Sequence, residues 1–424
     1  MLVYGIRMND PLKRAAWRGN MIRKLALAAA VASIALGTIG GVSAADKKYG
    51  PGVTDTEIKL GQTVPYSGPA SAFSSYGRSM AGYFQMINAA GGINGRKINL
   101  ISLDNAYSPP KAIEQTRKLV EDDGVLADVG TVGTTPNVAI QKYLNGAKVP
   151  HIFVSAGGRR FADPQNFPWT VPMYPGFEME GKTFGRYILE NKPGATVGVL
   201  YQNDDYGKDF LVGLKSVLGD KVKIVAETYE LSEPTIDSQI VRLKDSGADV
   251  LLYFSTPKFT AQGLRRVKES NWTPLQFLAS PTNSVKTVLE PAGFENAQGI
   301  ITTQFTKQAG DPAWADDPEV KEYIEFMKKW VPNDNPGDFV ALSGYITAQG
   351  IAHALQQCGD DLTRENLLKQ ATSLRGQHFK MMLPGIQLNT TPEDYAPYKS
   401  LRMAKFEGTS WKLIDEPGTS ASAK

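Results

Sequence analysis

Apolar positions switch repeatedly between the two-residue beat of a strand and the three-to-four-residue beat of a helix. Residues 57–64 (EIKLGQTV) predict a strand, and residues 75–89 set Met80, Tyr83, Phe84 and Ile87 on one helical stripe. A glycine-rich turn at 91–95 leads into a strand over 97–103. Ser108 and the prolines behind it open a helix over 108–120. Strands over 125–129 and 151–154 flank a helix over 137–144. The series then restarts. Helices over 177–190, 209–218, 238–246 and 260–269 alternate with strands over 196–201, 223–229, 250–254 and 275–279. The last third is less regular, with helices over 318–330 and 341–357 and a hairpin over 401–406 and 411–414. Steady β–α alternation predicts parallel sheets covered by helices on both faces. The strands are too many for one comfortable sheet, so two doubly wound lobes are the simpler packing. Proline-rich stretches at 169–175 and 384–397 are the candidate joints between them.

Three loops after predicted strands consist of small and hydroxyl residues: Pro65-Tyr66-Ser67-Gly68-Pro69, Gly130-Thr131-Val132-Gly133-Thr134-Thr135 and Ser155-Ala156-Gly157-Gly158. In a parallel sheet such loops gather at the carboxyl ends of the strands, where helix N-termini aim free N–H groups at a ligand. One such loop is most simply a capped turn. Three at equivalent strand ends predict a pocket for a small anion.

The chain has 424 residues, 42% hydrophobic and 21% charged, enough for two or three ordinary soluble domains. Its formal charge of +3 comes from the N-terminus, where residues 1–44 hold six basic residues and one acid. Taking six from 46 and one from 43 leaves 40 basic and 42 acidic residues, so nothing favours nucleic acid. Arg23 and Lys24 precede an apolar run over 25–36, and Val42-Ser43-Ala44-Ala45 ends it. This is the form of a secretory leader cleaved after Ala44 or Ala45, with Met21 a second plausible initiator. The run is shorter than the ~20 residues a spanning helix needs. With Cys358 the sole cysteine, no internal disulfide can form and none marks the leader junction for a lipid.

Searches for catalytic chemistry find little. Residues 176–183 fit G-x-x-x-x-G-K-S/T, but Pro172 and Pro175 break the preceding run, and Glu178 and Glu180 would repel a triphosphate. The segment is better read as the start of the second lobe's first helix. His151, His353 and His378 lack metal-ligand spacing, no G-x-S-x-G is present, and Cys358 has no base beside it. No enzyme, cofactor or metal is expected.

The stretches 57–77, 87–122, 129–157, 197–215 and 249–255 together resemble, in order, the periplasmic solute-binding proteins of branched-chain amino-acid-type ABC importers. The resemblance implies a type I periplasmic binding fold: α/β, with two doubly wound parallel-sheet lobes joined by three crossovers and a ligand between them. Lobe 1 would take 46–170 and 302–397, and lobe 2 would take 171–301 and 398–415, leaving 416–424 as a disordered tail. It implies a periplasmic monomer that captures a solute and docks on an ABC permease in the inner membrane. Thr134 and Thr135 match the hydroxyl position that holds the ligand carboxylate, Ala156 a position offering backbone groups, and Tyr206 an aromatic from the second lobe. Gly157 stands where the family often has Thr. After the strand over 275–279 the family's amino-acid binders place a glutamate for the ammonium, but here the run is Ser280-Pro281-Thr282-Asn283. A buried ammonium without a carboxylate is costly. The expected solute is therefore a small apolar carboxylate, an aromatic acid or similar, bound near Tyr66, Ser67, Phe73, Thr134, Thr135, Ala156, Gly157, Tyr174, Tyr206, Phe254 and Thr282. A branched-chain amino acid, or a ligand read by a membrane sensor, is the alternative.

Overall fold

A computed structural model describes residues 47–414; the expected leader and tail lie outside the described residues. A short strand, β1 (Lys48–Tyr49), opens the described chain. The first large sheet holds β2 (Glu57–Val64), β3 (Lys97–Asp104), β4 (Ala127–Val129), β5 (His151–Val154) and β6 (Thr170–Pro172), all parallel, in the order β3-β2-β4-β5-β6. The second holds β7 (Thr196–Gln202), β8 (Lys223–Tyr229), β9 (Val250–Phe254), β10 (Leu275–Leu278) and β11 (Ile301–Gln304). After β12 (Asp361–Leu362), which pairs with β1, the hairpin β13 (Arg402–Glu407) and β14 (Ser410–Leu413) completes it in the order β14-β13-β11-β10-β9-β7-β8. Only β13 breaks the parallel run, lying antiparallel to both neighbours. β9, VLLYF, is buried at every residue, as a central strand covered on both faces must be.

The same topology therefore occurs twice. In each sheet the first strand lies between the second and third, which creates a switch point where adjacent crossovers leave in opposite directions. The chain passes between sheets three times: after β6, after β11 and before β13. Pairing carries β6 to Pro172 and β11 to Gln304, so the first two passages lie slightly beyond 170 and 301, the sequence-based boundaries.

Three helices start earlier than the periodicity predicts: Thr134–Gly146, Asp205–Leu218 and Pro257–Glu269. They open on Thr134, Asp205 and Pro257, polar or proline residues whose mixed first turns carry no apolar beat. Tyr206 accordingly sits in a helix's first turn, not in a loop. The sequence reading also missed β6, β11 and the helix Arg364–Ala371, each short or polar. The helix Phe339–Cys358 is buried along most of its length and packs against the helix Ser74–Ala89. Cys358 ends it as a packed thiol, pushed up to about 12 by burial and the nearby Asp361.

Candidate functional site

Both switch points face one cavity, partly open to solvent. From the first lobe it is lined by Phe73, Tyr76, Tyr107, Val132, Gly133, Thr134, Ser155, Ala156, Phe339, Val340 and Ser343. Tyr174, Phe177, Tyr206, Thr256 and Pro281 line it from the first crossover and the second lobe. No lining side chain is charged.

Polar groups concentrate on the first-lobe wall. Thr134 is the first residue of its helix, behind Gly133 at φ 98, where a Cβ would sit 2.4 Å from the Tyr107 ring. That turn leaves the helix N-terminus facing the cavity. Phe153, inside β5, adopts φ 56 and bulges the strand between Ile152 and Val154. This non-glycine strain sets how Ser155 and Ala156 enter the cavity. The Ala156 N–H and the Thr134 and Ser155 hydroxyls have no hydrogen bond to the described residues. The Tyr76 hydroxyl is buried without a partner meeting hydrogen-bond geometry, beside Ser155 and Thr347. An unsatisfied buried hydroxyl costs about 1–3 kcal/mol, and a bound acceptor would remove that cost.

Three more rings face Phe73, Tyr76, Tyr107 and Phe339 from the other side. Phe177 meets Tyr206 edge-on at 5.1 Å and Tyr174 at 6.1 Å, and stacks on Phe210 at 4.6 Å. The Tyr206 hydroxyl donates to the Ser255 carbonyl at 3.0 Å, and Tyr174 and Ser280 share a hydrogen bond of 3.1 Å. Burial pushes the Tyr76, Tyr107, Tyr174 and Tyr206 phenols far above their ordinary range, so all four stay neutral.

Four residues singled out in the sequence line the cavity directly: Thr134, Ala156, Tyr174 and Tyr206, together with Phe73 from the same aromatic set. The others stand one layer back. Thr135 donates at 2.6 Å to Asp204 of the second lobe, so its hydroxyl bridges the lobes. Tyr66 bonds Ser102 at 2.7 Å, and its N–H and the Ser67 hydroxyl both donate to Asp104. Asp104 also accepts from the Ala106 N–H and Lys111. Burial opposes its ionisation, but Lys111, Ser67 and the backbone donors outweigh that and hold the carboxyl well below its usual range. Tyr66 and Ser67 thus brace the loop whose consecutive residues Ala106 and Tyr107, at φ 48 and 58, turn Tyr107 into the cavity. Gly157 packs against the Pro175 carbonyl. Phe254 is buried behind Phe210, stacked at 4.7 Å. Thr282 is buried and bonded to the Ala279 carbonyl, leaving Pro281 at the wall.

Tyr107, Thr256 and Pro281 follow β3, β9 and β10, so the strand-end logic that selected the hydroxyl loops would have found them. Tyr76, Phe177, Phe339, Val340 and Ser343 follow no such rule; they come from the first two turns of helices that only the tertiary packing brings here.

Two of the buried carboxyls, Glu180 and Asp128, have no cation paired to them. Glu180 is fully buried, and its two oxygens accept from Ser280 N–H at 2.6 Å and Ser280 Oγ at 2.8 Å. Asp128 accepts from Thr131 at 2.8 Å and lies 3.7 Å from a His151 that burial pushes down to about 3, leaving the imidazole neutral. Burial raises both carboxyls to about 7, against the lowering effect of those hydroxyls. The folded state therefore holds protons that the unfolded chain releases near pH 4. Their stabilising contribution is complete below that pH and is lost as pH rises through about 7. Glu180→Gln should remove part of this loss, flattening the stability–pH profile between about 5 and 7 by up to ~1.4 kcal/mol per pH unit. Denaturant melts across that range measure it; parallel profiles for both proteins would exclude a raised Glu180.

A family profile described as periplasmic binding protein matches residues 57–410. The chain belongs to that family. Among curated relatives of this periplasmic binding protein, the Leu/Ile/Val-binding protein homolog 7 of Brucella abortus (strain 2308) is 24% identical over 329 residues, covering 74% of this chain and 81% of its own. A branched chain amino acid ABC transporter structure from Thermus thermophilus with bound valine superposes with TM-score 0.78 at 17% identity, over 87% of this chain and 98% of that one. A solute binding protein from R. palustris in complex with benzoate superposes with TM-score 0.72 at 17% identity, over 86% and 96%. These likenesses establish the type I periplasmic binding fold for the two lobes. The family is one of periplasmic binding proteins, and the Brucella relative is named for binding leucine, isoleucine and valine. Among the described residues no helix is long and apolar enough to cross a membrane.

Proposed function

We propose that this chain captures a small apolar carboxylate, an aromatic acid or a close analogue, between its lobes and presents it in the periplasm to an ABC permease of the inner membrane. The observation that carries this reading is one uncharged cavity in which unpaired donors on the first-lobe side are surrounded by rings from both lobes. A carboxylate needs donors, which Thr134, Ser155, Tyr76 and the Ala156 N–H supply without a compensating cation. An α-ammonium would need an acid at the wall. The buried acid nearest in chemistry, Glu180, spends both oxygens on Ser280 and does not line the cavity. The valine-bound and benzoate-bound neighbours show that this fold accommodates both ligand types.

A thermal-shift screen containing amino acids and aromatic acids tests the reading. A fitting carboxylate should stabilise the protein by about 3–4 kcal/mol at several hundred times its Kd. Stabilisation by leucine or valine alone would replace the aromatic acid with an amino acid. Thr134→Val should weaken carboxylate binding by about 1–3 kcal/mol, one buried hydrogen bond to a charged group, as read by calorimetry. Unchanged affinity would place the anion elsewhere.

A further inference from the structure

We propose that Glu180, which does not reach the cavity, is a positioning residue for solute selection: through Ser280 it fixes whether Tyr174 meets the solute as a hydrogen-bond acceptor or as a donor. The inference rests on the aromatic-carboxylate reading for its ligand class and on the geometry of a three-membered relay for its mechanism. Glu180 enters from the helix Phe177–Asn191 and reaches the segment after β10, the position left without an acid in the sequence. Its Oε1 accepts the Ser280 N–H at 2.6 Å, which holds the carboxyl in place whatever its charge. Its Oε2 is 2.8 Å from Ser280 Oγ, and Ser280 Oγ is 3.1 Å from Tyr174 Oη.

Ser280 has one hydroxyl proton to place. With Glu180 ionised, that proton goes to Oε2, Tyr174 donates to Ser280, and only lone pairs of Tyr174 remain for a solute. With Glu180 protonated on Oε2, the acid donates to Ser280, Ser280 donates to Tyr174, and the phenol proton is released. Tyr206 has no such freedom, because its proton is committed to the Ser255 carbonyl. The groups facing Glu180 are the Ser280 and Thr303 hydroxyls and the Tyr174 and Tyr206 phenols, with Tyr398 beyond Tyr174; none is a cation. Burial raises the carboxyl to about 7, so both arrangements are populated near neutral pH, while the tyrosines do not titrate there. The solutes this selects among are aromatic carboxylates bearing a second polar group: ring amines where Tyr174 accepts, ring ethers where it donates.

The test is calorimetry of benzoate and of the ortho, meta and para aminobenzoates and methoxybenzoates, about one pH unit on either side of 7, on the unaltered protein, Glu180→Gln and Tyr174→Phe. In the unaltered protein the amino-to-methoxy affinity ratio at the responsive ring position should rise about fivefold from the acid to the alkaline condition, the worth of one neutral hydrogen bond. The glutamine amide accepts from Ser280 N–H and donates to Ser280 Oγ, as the protonated acid does. Glu180→Gln should therefore keep the low ratio at both pH values, and Tyr174→Phe should show no pH response. Ratios indifferent to both pH and Glu180→Gln would overturn the proposal, and the pH arm stands even if that variant does not fold. Failure of benzoate and all its derivatives to bind would instead sink the aromatic-acid reading. The relay is then judged in the ligand-free protein, by infrared titration of the tyrosine C–O stretch. A pH-dependent band lost in both Glu180→Gln and Tyr174→Phe supports it; no such band overturns it.

Discussion

Gly157→Ala should destabilise the protein by about 3 kcal/mol or more, read as a lower urea midpoint, and weaken binding of whatever solute the screen identifies. A Cβ there would stand 1.9 Å from the Pro175 carbonyl oxygen and 2.8–2.9 Å from the Phe177 ring. The oxygen is backbone of the first crossover, so no rotamer change can relieve the clash. The crossover must move, and with it the Phe177 N–H that donates to the Gly157 carbonyl at 2.9 Å. Phe177 packs against Tyr174 and Tyr206 in the cavity lining, so one methyl should disturb stability and site together. Gly176→Ala is the control. Its backbone, at φ −64, suits alanine, and the nearest atom to the new Cβ is 3.9 Å away. That change should cost less than about 1 kcal/mol. Equal melts for the two variants would show that the crossover yields more readily than the packing implies.

The second large effect concerns closure. Asp204→Ala should lower solute affinity about 10–100-fold, mostly through faster dissociation. The Asp204 carboxylate caps its helix, accepting from the Tyr206 and Gly207 N–H groups at 3.0 and 3.4 Å. The same group accepts the Thr135 hydroxyl at 2.6 Å from the first turn of the first lobe's helix, and Gln202 from its own lobe. It thus fixes the Tyr206 turn and joins the lobes beside the cavity. Loss of the cap costs about 1 kcal/mol of stability. Loss of the charged hydrogen bond between lobes costs about 1.5–3 kcal/mol, and that part falls on the state with the lobes in contact. Thr135→Val separates the two. It should reduce affinity nearly as much while leaving the melting temperature close to the parent's. Stopped-flow release rates identical to the parent's in Thr135→Val would show that this bridge does not hold the lobes around a solute. Further contacts cross nearby, from the Arg159 N–H to Asp209 at 2.9 Å and from Arg160 to Asp205 at 3.3 Å. At another point, Asp338 accepts from Ser75 at 2.6 Å and from Ser284 of the second lobe at 3.3 Å.

Most strands and long helices could be placed from the chain alone because their periodicity is set by burial on one or both faces. The eight residues of β2 and the seven of β8 fall where alternation and apolar content put them. What failed was local and polar. The first turns at Thr134, Asp205 and Pro257 mix polar, proline and aromatic residues behind their caps, and such a mixture carries no period. Those turns and their caps hold three of the residues lining the cavity: Thr134, Tyr206 and Thr256. The rejected phosphate-loop pattern shows the same gap. Glu180 counted in the sequence as a charge that would repel phosphate; in the fold it is buried and bonded to Ser280 from a hundred residues away.

The linear chain determined a doubly wound architecture, repeated, with small polar loops at strand ends. It could do so because hydrophobic period, turn chemistry and strand length are local properties that each residue carries into any fold. Tertiary structure alone decided which hydroxyls remain free. Thr134 and Thr135 are neighbours of identical chemistry, yet one lines the cavity and the other is committed to Asp204 across the lobes. Partner choice for a hydroxyl depends on groups distant in sequence, and hydrogen-bond satisfaction is a property of the assembled interior.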